Sequence, residues 1–112
     1  MSYPLNLRGL RARSCLSQDE LADLLGITRT RISRYEKNEE FPAFSTALGL
    51  QVIFDQQPRL TFPRLYDQIE EAVMQRAAEL ERALDGLHDY QSARKRQLLD
   101  AMMARATSRG AV

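Results

Sequence analysis

The chain is poor in the residues that staple small secreted folds and build metal centres. It has one cysteine, Cys15, and one histidine, His88, in 112 residues. A single thiol excludes an internal disulfide and a cysteine-based zinc site. A lone imidazole excludes a multi-histidine metal site. Five Gly and four Pro leave little material for the many turns of an all-β sandwich. No apolar run approaches the ~20 residues of a membrane span. The opening MSYPLNLRGLR lacks the apolar stretch of a signal peptide. No Ser/His/Asp set, phosphate loop or metal-ligand spacing appears, so neither catalysis nor a cofactor is expected. The expectation is a cytoplasmic protein without a membrane partner.

What is present suffices for a core. Hydrophobic residues make up 44% and charged residues 28%, which argues against wholesale disorder. The length fits one domain, or a small domain with an appendage. The net charge of +1 conceals blocks. Residues 1–37 carry seven Arg/Lys against four Asp/Glu, and residues 38–61 one against three. Residues 62–93 carry three against seven, and residues 94–112 five against one. Alternating blocks suit a protein whose faces meet different partners, or simply solvated helix faces.

From Leu10 to Phe54 the apolar residues recur at helical spacing. Ser17 and Glu20 form a capping box ahead of Leu21, Leu24 and Leu25. Gly26 stands where that helix must end and turn. Thr28 can cap the next helix, which buries Ile32 and Tyr35 and shows Arg29, Arg31 and Arg34. Asn38 follows it, and Asn tolerates the left-handed cap conformation. Phe44 to Phe54 reads either as a strand (Leu50, Val52, Phe54) or as a helix (Phe44, Ala47, Leu50, Phe54). The helix is preferred because no second convincing strand exists to pair with a first. Thr61 and Pro63 introduce a long helical pattern through Tyr66, Ile69, Val73, Ala77, Leu80, Leu84 and Leu87. Gly86 weakens it. Leu98, Leu99, Met102 and Met103 lie on one face of a last helix, with Arg94, Lys95 and Arg96 at its start. Those three cations reach DNA phosphates, or the last helix folds back onto the long one. Folding back is preferred, because otherwise four large apolar side chains stay in water.

Two short helices joined by a tight Gly turn, the second cationic at its start, make a helix-turn-helix. The major groove of B-DNA admits one α-helix. The first helix braces the second, whose first two turns must offer long hydrogen-bonding side chains. Arg29, Thr30, Ser33 and Arg34 are the candidate base readers, since arginine pairs bidentately with guanine.

The segment LRARSCLSQDELADLLGITRTRISRYEKNEEFP resembles the XRE family of phage-repressor-like regulators. The match is dense at Ser17-Gln18, Leu21-Ala22, Leu25-Gly26-Ile27, Ile32-Ser33, Glu36 and Pro42. The resemblance continues through AFSTALGLQVIFDQQPRLTF, covers about residues 5–62, and supports the helical reading of residues 43–54. The remainder, FPRLYDQIEEAVMQRAAELERAL, resembles an extension carried by one subgroup.

The resemblance implies roles. Gln18 would bond a phosphate and reach toward the reading helix. Thr28, Arg31 and Lys37 would meet phosphates, and Asn38 would present its backbone N–H to one. Arg11 and Glu36 match a family ion pair tying the first helix to the third. Cys15 and Asn38 stand where the family prefers Gly. Arg31 also reads as a solvated surface residue, Cys15 as an inert one, His88 as unremarkable, and Met102-Met103 as packing.

The expected fold is all-α. A five-helix repressor-like helix-turn-helix domain spans 1–62, and a helical dimerisation extension spans 63–112, with a long helix and a shorter terminal one. The expected function is a homodimeric regulator, a repressor, on a palindromic operator in double-stranded DNA. Ile69, Val73, Ala77, Leu80, Leu84 and Leu87 are the expected dimer interface. The alternative is an antitoxin-like protein that autoregulates through the helix-turn-helix and binds a protein partner through residues 63–107. The acidic residues Asp67, Glu70, Glu71, Glu79 and Glu81 would suit a basic one.

Overall fold

A computed structural model describes residues 4–110, and every regular element among them is a helix. In order these are α1 (Leu7–Arg13), α2 (Gln18–Leu25), α3 (Arg29–Glu36), α4 (Phe44–Phe54), α5 (Pro58–Thr61), α6 (Pro63–Ala83) and α7 (Tyr90–Gly110). The helical reading of Phe44–Phe54 holds. Two compact units divide between Tyr66 and Asp67, just inside α6.

In the first unit, each of the three leading helices starts on a side-chain cap. The Asn6 side chain accepts from the Gly9 N–H at 2.9 Å. The Ser17 hydroxyl accepts from the Glu20 N–H at 3.0 Å, and Glu20 Oε1 accepts from the Ser17 N–H at 2.9 Å. Those bonds, the backbone one first, hold the Glu20 carboxyl below the usual carboxylate range. Thr28 Oγ1 accepts from the Arg31 N–H at 3.3 Å.

The same three helices end in one motif. Cys15, Gly26 and Asn38 take the left-handed conformation, with φ of 57°, 69° and 59°. The next residue donates back five positions: Leu16 to the Arg11 carbonyl, Ile27 to Ala22, Glu39 to Arg34, at 3.1, 3.0 and 2.9 Å. This Schellman closure satisfies carbonyls that the helix leaves open.

Short helices depend on tertiary packing for their stability. Leu7, Leu21, Ala22, Ile32, Tyr35, Leu50 and Phe62 form one buried cluster. Each large side chain there contributes roughly 1.5–3 kcal/mol by leaving water. Gly49 lets α4 close on α2: a Cβ there would stand 2.8 Å from Leu25 Cδ2. Thr61 does not cap the long helix as the sequence suggested. It is the buried last residue of α5, and its hydroxyl accepts from Gln56 Nε2 at 2.9 Å.

In the second unit, α6 runs to Ala83 and residues 84–89 make the turn, with Gly86 at φ 78°. Asp89 caps α7: Oδ1 accepts from the Ser92 hydroxyl at 2.6 Å and Oδ2 from the Ser92 N–H at 3.2 Å. The Ser92 hydroxyl bond, then the backbone one, depresses the Asp89 carboxyl. The terminal helix is not the shorter one, since α6 and α7 are 21 residues each. Because α7 begins at Tyr90, Arg94, Lys95 and Arg96 sit past its first turn. Arg96 Nη2 donates to the Leu84 carbonyl at 2.6 Å and also to that of Leu87. Arg109 pairs with Glu70.

α7 folds back on α6, but the apolar residues do not act as one stripe. Ala77, Leu84 and Leu99 form a buried cluster with Met102 against it. Ala77 and Leu84, expected at a dimer interface, are therefore covered by their own chain. Ile69, Val73, Leu80 and Leu87 remain exposed, as do Leu98 and Met103. No helix among the described residues is long and apolar enough to cross a membrane.

Candidate nucleic-acid interface

Helix α3 divides cleanly. Ile32 and Tyr35 are buried at 0% and 2% exposure and fix the helix on the core. The opposite side is open. Arg29, Thr30, Ser33 and Arg34 line one shallow depression together with Gln18, Lys37 and Glu39. All four candidate base readers thus share a face, with two candidate phosphate ligands at its border. Arg31 is exposed and stands outside that depression.

A hydrogen-bond relay sets this face. Arg11 Nε donates to Glu36 Oε2 at 2.7 Å and Nη2 to Oε1 at 3.1 Å. The pair is largely shielded, with side chains 17% and 5% exposed. The bond to Glu36 makes the Arg11 guanidinium more basic than usual, while desolvation acts the other way. Arg11 Nη1 also donates to the Leu16 carbonyl at 3.0 Å, which ties the α1–α2 turn to α3. Glu36 Oε1 accepts from Gln18 Nε2 at 3.2 Å, and Gln18 Oε1 accepts from Arg29 Nε at 3.3 Å. The Glu36 bond orients the Gln18 amide so that its oxygen faces Arg29.

Two expected phosphate ligands have other duties. The Asn38 N–H donates to the Tyr35 carbonyl at 3.2 Å, closing α3, so a phosphate would have to share it. Thr28 Oγ1 accepts the cap bond, and its hydroxyl hydrogen remains a donor. Lys37 is exposed at the end of α3.

Three residues were not singled out from the sequence. Arg8 lines a second depression with Arg11, Gln18, Ser33, Glu36 and Lys37. Its signal was the spacing of three from Arg11, which places both on one side of α1. Glu39 enters the reading depression, and Glu40 stands 3.7 Å from Arg34 Nη1. These carboxylates follow α3 immediately and temper its positive charge.

Residues 7–54 match the family model described as Helix-turn-helix. Relatives in Pyrococcus furiosus and Thermococcus kodakarensis, each named "Putative HTH-type transcriptional regulatory protein", are 42% and 40% identical over 50 residues. A relative of the same name in Pyrococcus abyssi is 38% identical over 50 residues. Each match covers 45% of this chain and 16% of the relative, so the chain spans under a fifth of those proteins. No solved structure matches it with significance. Residues 7–54 of this chain therefore resemble the helix-turn-helix domain that this family model describes.

Proposed function

We propose that the chain is a sequence-specific, DNA-binding transcriptional regulator that acts as a homodimer on a palindromic operator. One observation carries this reading: Arg29, Thr30, Ser33 and Arg34 share the open face of a helix whose other face is locked in the core. A helix so mounted fits the major groove and presents guanine-reading arginines to it. Gln18, Thr28, Arg31, Lys37 and Arg8 surround that face and supply sequence-independent phosphate contacts. The relatives' names agree with a regulatory role.

A single helix-turn-helix makes few base contacts, and two half-sites restore specificity. The exposed Ile69, Val73, Leu80 and Leu87 of the second unit supply apolar surface for pairing with a twin. Repression rests on the likeness to phage-repressor-like regulators. Selection of bound duplexes from random sequence tests the proposal. An inverted repeat with a G in each half-site is expected. Recovery of no preferred sequence overturns it.

A further inference from the structure

Among the described residues, Arg34 is the one candidate base reader held in an ion pair: its Nη1 stands 3.7 Å from Glu40 Oε2. The closure of α3 sets up this contact. Asn38 turns the chain at φ 59°, and the Glu39 N–H then donates to the Arg34 carbonyl at 2.9 Å. The chain that carries the two carboxylates is thereby tied to the residue one of them pairs with. Glu39 lines the depression of the base readers, beside Arg29, Arg34 and Lys37. Two carboxylates thus oppose three cations on a face that meets a polyanion, where each negative charge works against the release of counterions. A gain elsewhere has to offset that loss.

We propose that Glu40 is a positioning residue for Arg34 that sets sequence discrimination, an inference that rests on the DNA-binding reading. The ion pair lasts when Arg34 reads guanine and breaks when Arg34 turns to a phosphate. Glu40 meets the guanidinium at Nη1, which leaves the Nε–Nη2 edge to give two parallel bonds to guanine O6 and N7. The carboxylate therefore aims the reading edge rather than consuming it. A phosphate repels Glu40, so Arg34 reaches one only by leaving its partner. The two side chains are 54% and 33% exposed, and a pair so open to water is weak enough to bias Arg34 without locking it. Weaker attachment to the phosphates of non-cognate duplexes raises the ratio of specific to non-specific affinity, which is the quantity a regulator needs. Glu39 is the natural contrast. It brings the same charge to the depression and, among the described residues, holds no ion pair.

The test uses the full chain and two duplexes: the one the parent protein selects from random sequence, and a copy with one guanine replaced. That guanine is the position at which Arg34→Ala loses its preference. Binding is read by fluorescence anisotropy across a salt series. Glu40→Gln is expected to lower the affinity ratio of the two duplexes by roughly two- to fivefold. In an Arg34→Ala background the same change should leave the ratio where it is. Glu39→Gln should instead tighten both duplexes alike and steepen the salt slope by about one. Glutamine is close in size to glutamate, and a thermal melt of each variant checks that the fold is kept. If Glu40→Gln behaves as Glu39→Gln does, or alters the ratio equally with Arg34 removed, the effect is bulk charge and the inference is overturned. A parent that selects a sequence, with Glu40→Gln just as selective, overturns this inference alone. A parent that selects none overturns the DNA-binding reading and this inference with it.

Discussion

Glu36 receives the Arg11 guanidinium edge-on, through Nε at 2.7 Å and Nη2 at 3.1 Å. Glu36 is the more deeply shielded partner, so its charge is the costlier one to strand. Arg11→Met should therefore destabilise the domain more than Glu36→Gln, by about 3 kcal/mol against about 1–2. Glutamine can still accept from Arg11 and Gln18. A double-mutant cycle from urea melts should give a coupling above about 1 kcal/mol. Additive losses would show that the two side chains act independently.

The relay predicts a division of labour on DNA. Arg29→Ala and Arg34→Ala should relax base preference, each by about 1–3 kcal/mol at one position. Arg31→Ala, Lys37→Ala and Arg8→Ala should weaken all sequences alike, each lowering the salt slope by about one. Gln18→Ala should do some of both, because Gln18 bonds Arg29 and lines the same depression as Lys37. Site selection combined with salt titration separates the classes. Unchanged base preference in both Arg29→Ala and Arg34→Ala would reject this reading register.

Three helices share one ending with different residues at its left-handed position. Cys15 carries a Cβ there at φ 57°, a conformation costing an L-residue roughly 1–2 kcal/mol. Cys15→Gly should stabilise the domain by about 0.5–1 kcal/mol, after the greater freedom of unfolded glycine is deducted. Asn38→Gly should gain less, because asparagine tolerates this region. Gly26→Ala should lose about 1 kcal/mol from backbone strain alone, since its Cβ would meet nothing within 4 Å. Thermal melts that rank the three otherwise would remove the left-handed cap as the cause.

Asp89 provides a pH test. Its folded pKa is depressed by Ser92, so its contribution is present above the unfolded carboxylate value of about 3.9. That contribution disappears as pH falls through the folded value. Asp89→Ala should melt below the parent at pH 7, and the two curves should converge at an acid pH below that depressed folded value. A gap that persists at that pH would mean the carboxylate charge is not what stabilises α7.

The helix-turn-helix was legible because its signals are local. Ser17 and Glu20 three apart, Gly26 at a turn and Thr28 ahead of Arg29 each specify a bond within five residues. The Arg11–Glu36 pair spans 25 positions, and it came from family resemblance rather than from pattern. The stripe Phe44, Ala47, Leu50 and Phe54 read for α4 does not form one inner face, since Leu50 is buried and Phe44 is 78% exposed; a helix whose only polar residues are Ser45, Thr46 and Gln51 has a weak amphipathic phase. The second unit failed for another reason. Val73, Ala77, Leu80 and Leu84 look like one stripe, but a neighbouring helix covers only one flank of it. The Asp89-x-x-Ser92 cap that starts α7 is as local a signal as the Ser17–Glu20 box, with both bonds within three residues.

That split of the α6 stripe yields the last prediction. Leu84 is 4% exposed and packs with Ala77 and Leu99 of its own chain, whereas Leu80 is 45% exposed. Leu84→Ala and Leu99→Ala should therefore lower the stability of the hairpin, each by about 2–4 kcal/mol, through lost transfer energy and a residual cavity. Leu80→Asp should leave that stability within about 0.5 kcal/mol, and it should weaken self-association if Ile69, Val73, Leu80 and Leu87 meet a twin. Denaturation followed by α6–α7 helicity, read beside sedimentation equilibrium, distinguishes the two effects. Were Leu80→Asp to unfold the hairpin while Leu84→Ala left it intact, the covered and open flanks of α6 would be exchanged, and the dimer surface would lie on the Ala77–Leu84 side.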